Sequence, residues 1–90
     1  MDKAIITVVG KDTVGIIARV CTYLSDRNVN VLDISQTILD GFFNMMMIVD
    51  VSAAREEFGT LAEELEALGE RIGVRIRCQK EDIFTTMHRV

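Results

Sequence analysis

The stretch Val9-Gly10-Lys11-Asp12-Thr13-Val14-Gly15-Ile16-Ile17-Ala18-Arg19-Val20 joins an apolar, β-branched run to an amphipathic helix through a short polar turn. Asp12 or Thr13 is suited to cap this helix, because a short side-chain oxygen accepts a hydrogen bond from a free helical N–H. Gly10 and Gly15 lack Cβ atoms, so backbone or a ligand can approach the turn closely. The sequence therefore predicts a strand, a tight turn and a helix in direct succession.

The beginning of this helix also has the chemistry of an anion site. Its first turn presents N–H groups without helical acceptors, at the positive end of the helix dipole. A carboxylate or another anion can bind there. The motif alone favours the other interpretation, an ordinary strand-to-helix connection with a good cap, and leaves the anion site as the alternative.

Composition predicts a single globular domain. The chain has 90 residues, of which 49% are apolar, and its formal net charge is -4. Acidic residues outnumber Lys and Arg by 14 to 10, so the basic footprint of a nucleic-acid-binding protein is missing. The apolar stretch Gly41 to Val49 is too short to span a bilayer. No signal-peptide pattern precedes the first strand, and we expect a cytoplasmic protein that binds neither nucleic acid nor membrane.

The cysteines and the single histidine do not form a recognisable site. Cys21 and Cys78 have no CxxC partner, and each falls on the apolar phase of its element, which predicts buried, reduced thiols. Such thiols fit a reducing compartment; a disulfide or a catalytic thiol is the less favoured alternative. His88 has no companion ligand, so we predict neither a metal site nor a catalytic role for it.

Hydrophobic periodicity predicts six elements in the order β-α-β-β-α-β. The predicted strands are Ala4–Val9, Val29–Leu39, Phe42–Val51 and Val74–Gln79, and the predicted helices are Val14–Asp26 and Ala54–Ile72. Asn28 is a suitable left-handed stop for the first helix, and Asp40-Gly41 predicts a type I′ hairpin. The second strand has one mixed polar face, which indicates a partly wet edge strand. The six glutamates of the second helix predict a solvated face; they are Glu56, Glu57, Glu63, Glu64, Glu66 and Glu70.

Two helical crossovers and one hairpin predict an α+β, ferredoxin-like sandwich. We expect a four-stranded antiparallel sheet in the order 4-1-3-2, with both helices on one face. The domain should span residues 1–81, followed by a tail at 82–90 with a short helical segment. Because the first and third strands are apolar on both faces, an apolar face would stay uncovered, which monomers seldom tolerate. We therefore expect a homo-oligomer that buries this face or the tail, with dimer and tetramer both open.

Two motifs resemble those of ACT domains. The turn Gly10-Lys11-Asp12-Thr13-Val14-Gly15-Ile16-Ile17 is similar to the opening motif of that family. The stretch Asp26-Arg27-Asn28-Val29-Asn30-Val31-Leu32-Asp33-Ile34 is similar to its passage from the first helix into the second strand. The resemblance covers essentially the whole chain. It is narrower still to the small stand-alone ACT proteins related to glycine-cleavage-type transcriptional repressors.

The resemblance implies a regulatory domain that binds an amino acid near a protomer interface. Carried over by position, the implied ligand-binding residues are Gly10, Asp12, Val14, Gly15 and Ile16 in the turn and Asn30 and Val31 in the second strand. Two positions depart from the family pattern: Val14 replaces a common proline, and Asp12 replaces a common polar amide. Asp12 then has two open roles, contact with a ligand ammonium or capping of the helix.

The function expected from these observations is non-enzymatic small-molecule sensing without a cofactor. No Ser/His/Asp set, metal-ligand cluster or P-loop lysine is present in the sequence, so no catalytic residue is predicted. The output would be a change of oligomer, or contact with another regulatory protein or an enzyme. The alternative is a structural or protein-protein interaction module without a ligand. RNA binding is less favoured, because the first strand has no aromatic side chain.

Overall fold

The computed structural model describes residues 2–81 and confirms the predicted order of elements. These elements are β1 (Lys3–Lys11), α1 (Ile16–Asp26), β2 (Asn30–Leu39), β3 (Phe42–Asp50), α2 (Phe58–Ile72) and β4 (Val74–Lys80). The strands form one antiparallel sheet in the order β2-β3-β1-β4. This is the predicted order, read from the opposite edge, and the fold is the ferredoxin-like βαββαβ sandwich. The predicted helical segment of the tail, with His88, lies outside the described residues.

The core lies between one face of the sheet and the two helices. Strict alternation along β1 and β3 sends every second side chain toward the helices, which meet them with apolar stripes of helical spacing. The buried strand residues are Ala4, Ile6, Val8, Phe43, Met45, Met47, Val49, Val74 and Ile76. The buried helix residues are Ile16, Val20, Tyr23, Leu24, Leu61, Leu65 and Leu68. Both helices therefore cover the same face, as predicted.

Within residues 2–81, no helix covers the opposite face of the sheet. Ile5 and Val9 of β1 lie in register with Ile48 and Asn44 of β3 on this face. The side chains of Val9, Met46 and Phe42 are 45%, 41% and 57% exposed. The prediction that β1 and β3 are apolar on both faces is therefore confirmed.

Positive backbone φ angles mark the predicted ends of elements. Asp40 and Gly41 have φ values of 53° and 80°, as the type I′ hairpin between β2 and β3 requires. Asn28, just after α1, has φ 62°. Gly73 ends α2 with φ 81°, and its N–H donates to the Gly69 carbonyl. The turns at Asn28 and Asp40-Gly41 therefore confirm the predictions made from these residues.

The predicted beginnings of both helices were wrong. The first helix begins at Ile16 instead of Val14, and its N-cap is Gly15, in the left-handed conformation with φ 90° and without a side-chain cap. Asp12 and Thr13 are not caps, because β1 continues to Lys11 and the chain needs the intervening residues to turn back over the sheet. The second helix begins at Phe58 instead of Ala54.

The segment before α2 is a loop because other bonds hold its backbone. The Ala54 N–H donates to the Val51 carbonyl at 3.1 Å, and the Arg55 N–H donates to the Arg27 carbonyl at 3.0 Å. The side-chain amide of Asn28 donates to the Ala53 carbonyl at 3.0 Å. These bonds to the end of α1 replace the helical pattern that the sequence favoured.

Two helical glycines should respond in opposite ways to alanine. A Cβ on Gly69 would lie 2.7 Å from the Val74 carbonyl oxygen and 3.0 Å from Ile76 Cγ1, whereas a Cβ on Gly59 would meet nothing within 4 Å. Gly69→Ala should therefore lower the free energy of unfolding by about 1–3 kcal/mol through overpacking. Gly59→Ala should raise it by up to about 1 kcal/mol through helix propensity. Urea denaturation of both variants measures the contrast, and equal effects would contradict this packing.

Candidate functional site

The turn between β1 and α1 is open to solvent but anchored at its base. The Asp12 N–H donates to the Gly41 carbonyl at 2.9 Å, which ties the turn to the β2–β3 hairpin. Lys11, Asp12, Thr13 and Val14 are all exposed. The Val14 side chain is 103% exposed, although it is apolar. A fixed backbone thus presents a fully accessible polar and apolar surface.

The N-terminus of α1 has no side-chain cap in the described part of the chain. The Arg19 N–H donates to the Gly15 carbonyl at 3.0 Å, which is the first bond of the helix. The N–H groups of Ile16, Ile17 and Ala18 therefore precede any available helical acceptor. The first turn contains no acidic residue, and Gly15 supplies no side-chain cap. An anion is favoured at such a helix end.

Two of the predicted ligand residues have a structural task. A Cβ on Gly10 would lie 2.8 Å from Val74 Cγ1, so this glycine permits the close packing of β1 against β4. Ile16 is 3% exposed and belongs to the core. Its side chain is therefore unavailable to a ligand, whereas its backbone N–H lies at the open helix end. Asp12 and Val14 are exposed, and Gly15 is partly exposed.

The structure does not bring the predicted strand residues to the turn. Asn30 is in register with Asp50, and Asp50 is in register with Lys3 at the beginning of β1. Gly10 lies at the other end of β1, seven residues further along. At roughly 3.3 Å per strand residue, the two levels are about 23 Å apart. Within one chain, Asn30 and the turn cannot contact the same small ligand.

Val31 lies beside Asn30, away from the turn. It is half-buried against the core, and a register shift in the pairing of β2 with β3 follows it, between Val31 and Asp33. Such a bulge bends the edge strand locally. The edge strand is exposed as predicted, with Ile38 55% and Leu39 76% exposed.

Sequence reasoning missed a polar cluster between the two helices. The Tyr23 hydroxyl donates to Glu64 Oε1 at 2.5 Å, and Arg27 Nε donates to the same oxygen at 3.2 Å. The Arg27 guanidinium lies 4.1 Å from the centre of the Tyr23 ring, and Glu56 Oε1 lies 3.8 Å from Arg27 Nε. The prediction of a solvated face was therefore wrong for Glu56 and Glu64, which are half-buried between the helices. The spacing of Tyr23 and Arg27, four residues apart on one helix face, was the available signal.

Hydrogen bonding sets the pKa values of this cluster in opposite directions. The hydrogen bond from Tyr23 holds the pKa of Glu64 below its usual value, with Glu56 and Arg27 adding to the effect. Contact with the Glu64 carboxylate raises the pKa of Glu56. Glu56 Oε2 is buried without a hydrogen-bond partner among the described residues. Tyr23, Arg27 and Glu64 bind one another and so connect α1 with α2. We call these three residues the clasp.

The two cysteines are free thiols packed against the core. Both are half-buried, somewhat more accessible than the predicted full burial. Burial raises the pKa of the Cys78 thiol to about 11. This thiol is therefore protonated at neutral pH and is a poor nucleophile.

Residues 2–81 contain neither a metal-ligand cluster nor a membrane-spanning helix. No group of three or more His, Cys, Asp or Glu side chains in that range could hold a metal ion. No helix in the same range is long and apolar enough to cross a membrane.

The fold and the open turn define a small ferredoxin-like domain with an accessible helix N-terminus. The sequence model of the ACT domain family matches residues 2–79. The chain therefore belongs to the ACT domain family. ACT domains are typically regulatory modules that bind small-molecule ligands, and they commonly dimerise.

Known proteins of the same size resemble the chain along its length. A UPF0237 protein from Bifidobacterium longum is 73% identical over 90 residues, which is 100% of both chains. The structure of an ACT domain protein from Streptococcus pneumoniae superposes with a TM-score of 0.81 at 46% identity, covering 92% of this chain and 93% of that one. These similarities confirm the resemblance to small ACT proteins.

A putative glycine cleavage system transcriptional repressor shares the fold. Its structure superposes with a TM-score of 0.75 at 19% identity and covers 88% of this chain, which spans 45% of that protein. The expected structural likeness to this type of protein is therefore found at the level of the fold.

The Glu64 clasp should give stability that depends on pH. Because folding lowers the pKa of Glu64, its contribution is present above the unfolded pKa and is lost as pH falls through the folded value. Glu64→Gln should therefore lower the free energy of unfolding at pH 7, and the deficit should shrink toward pH 3. Urea denaturation across this range measures it. Glu66→Gln, at an exposed position of α2, is the matched control; a deficit independent of pH would contradict the assignment.

Proposed function

We propose that this chain is a non-enzymatic regulatory domain that binds an amino acid at the β1–α1 turn, in a site completed by a second copy of the chain. The observation that carries this proposal is the uncompensated N-terminus of α1. Its free N–H groups meet neither an acidic residue of the first turn nor a side-chain cap. Residues 11–14, which lead into it, are exposed.

The chemistry of the turn suits the two charges of an amino acid. The ligand carboxylate would accept hydrogen bonds from the N–H groups of Ile16 and Ile17, where the helix dipole favours an anion. The Asp12 side chain forms no hydrogen bond or ion pair with the described residues. It is therefore free to receive the ligand ammonium. Val14 would cover the apolar part of the ligand and become buried in doing so.

A second protomer would supply Asn30 and Val31. The separation of about 23 Å along the strands, at roughly 3.3 Å per residue, supports this arrangement, because one chain cannot place both groups on one ligand. A ligand held between protomers favours the assembly in which both halves of the site meet. The signal is then the difference in affinity between assemblies. Its output would be a change of oligomer or contact with another regulatory protein or an enzyme.

A regulatory role without catalysis agrees with the remaining polar groups. The clasp of Tyr23, Arg27 and Glu64 is satisfied internally. The Cys78 thiol is protonated at neutral pH because burial raises its pKa to about 11. Neither group has the free, activated side chain that nucleophilic or acid–base catalysis needs.

Thermal unfolding against a panel of the twenty amino acids tests the ligand class. An amino acid present at about a hundred times its dissociation constant should add roughly 2.7 kcal/mol to the free energy of unfolding. Asp12→Asn and Asn30→Ala should each abolish this stabilisation, whereas Glu63→Gln, an exposed carboxylate of α2, should leave it unchanged. If no compound shifts the transition, a structural or protein-protein interaction module becomes the better description.

Mixing the two variants tests whether the site is shared between protomers. In a two-fold dimer, one Asp12→Asn chain and one Asn30→Ala chain form one site with both changes and one site with neither. Stabilisation by the amino acid should therefore return in part when the variants are unfolded together and refolded as a mixture. Calorimetric titration would show up to one intact site per mixed dimer. Absence of recovery, with each variant folded and dimeric, would refute a site that spans the interface.

A further inference from the structure

A groove runs between the two helices, on the side of the molecule away from the open sheet face. Its volume is about 530 Å³, within the usual range of roughly 300–1,000 Å³ for small-molecule sites. Ala18 of α1 and Ala67 of α2 line it and leave space between the helices. Leu68 and Tyr23, which are 8% and 9% exposed, form an apolar floor. The groove can therefore receive a compact apolar group.

Two arginines of this groove have no ionic partner in the described part of the chain. Arg19 and Arg71 both line it, and the salt bridges among residues 2–81 involve other cations. The sequence explains this, since neither arginine has an acidic residue three or four positions away on its helix. Two carboxylates, Asp26 and Glu64, also line the groove, and Arg27 binds Glu64. The two uncommitted guanidinium groups therefore outnumber the one uncommitted carboxylate beside the groove.

Arg27, the third arginine that lines the groove, already has partners within the chain. Arg27 donates to Glu64 and stacks on Tyr23, so the clasp closes one end of the groove. The helices run antiparallel, because each runs opposite to the strand that it follows, and those strands, β1 and β3, are themselves antiparallel. The beginning of α1 therefore lies beside the end of α2, and Arg19 and Arg71 belong to the same end of the groove. The groove thus pairs one anion-attracting end with an apolar middle.

We propose that this groove is a second ligand site, which takes a small organic anion with a compact apolar body, such as an aromatic or branched carboxylate. The carboxylate accepts charge-assisted hydrogen bonds from Arg19 and Arg71. The apolar body lies over Ala18, Ala67 and Leu68. This site goes beyond the proposed function, because it uses the side-chain face of α1 instead of its N-terminal N–H groups and needs no second protomer.

Nuclear magnetic resonance titration of the full chain with 3-phenylpropanoate tests the proposal. The backbone amide signals of residues 18, 19, 67 and 71 should shift in a saturable manner. The neutral analogue 3-phenylpropanamide should bind about tenfold more weakly, because it loses the charge recognised by the arginines. Arg19→Gln and Arg71→Gln should each weaken binding by a similar factor. Arg75→Gln is the matched control, since Arg75 is exposed on β4 and lies outside the groove.

A substitution that fills the groove gives a second, independent test of probe binding. Ala67 is exposed, so Ala67→Leu should fold normally and block the probe by occupying the groove. Asp12→Asn should leave binding of the probe unchanged, which separates this site from the one at the turn. No saturable shift at these amides up to about 10 mM probe would overturn the proposal, since weaker binding would correspond to less than roughly 3 kcal/mol. Binding that survives both arginine changes would overturn it as well.

Discussion

Two helices cover only one face of the four-stranded sheet, and the rest of the molecule depends on this limit. Alternation along β1 and β3 sends residues such as Ile6 and Met47 into the helix-covered core and leaves Val9 and Phe42 on the open face. Crossing back over the sheet also determines the turn after β1. The chain must reverse within a few residues, and left-handed Gly15 makes this possible. The exposed N-terminus of α1 is a direct consequence.

The same topology decides how a ligand site can be assembled. Because β1 and β2 run in the same direction, the end of one strand and the beginning of the other lie at opposite ends of the sheet. Any role that joins Asn30 to the turn must therefore involve two chains. The apolar open face of the sheet separately favours association. Both considerations give a small domain a physical reason to signal through its assembly.

The arginines between the two helices form two groups, one with internal partners in the described part of the chain and one without. Arg27 is committed to Glu64 and Tyr23, and these contacts hold α1 against α2. Arg19 and Arg71 border the same groove without such partners in residues 2–81. A charge whose interactions are satisfied internally stabilises the fold, whereas an uncommitted charge beside an apolar floor is available to a ligand. The net charge of the chain does not distinguish Arg27 from Arg19 and Arg71.

The sequence by itself determined the elements, their order and the core, because apolar periodicity and turn residues act locally. Asp40-Gly41 and Asn28 marked turns that the structure contains, and the motif around Gly10 and Gly15 indicated the ACT family. Tertiary structure decided the rest. Contacts between residues distant along the chain explain four features that local patterns did not predict. Asp12 does not cap α1, α2 begins late, Gly10 packs against β4, and Glu64 joins the two helices. The separation of Asn30 from the turn likewise follows from strand direction and register, which local patterns do not specify.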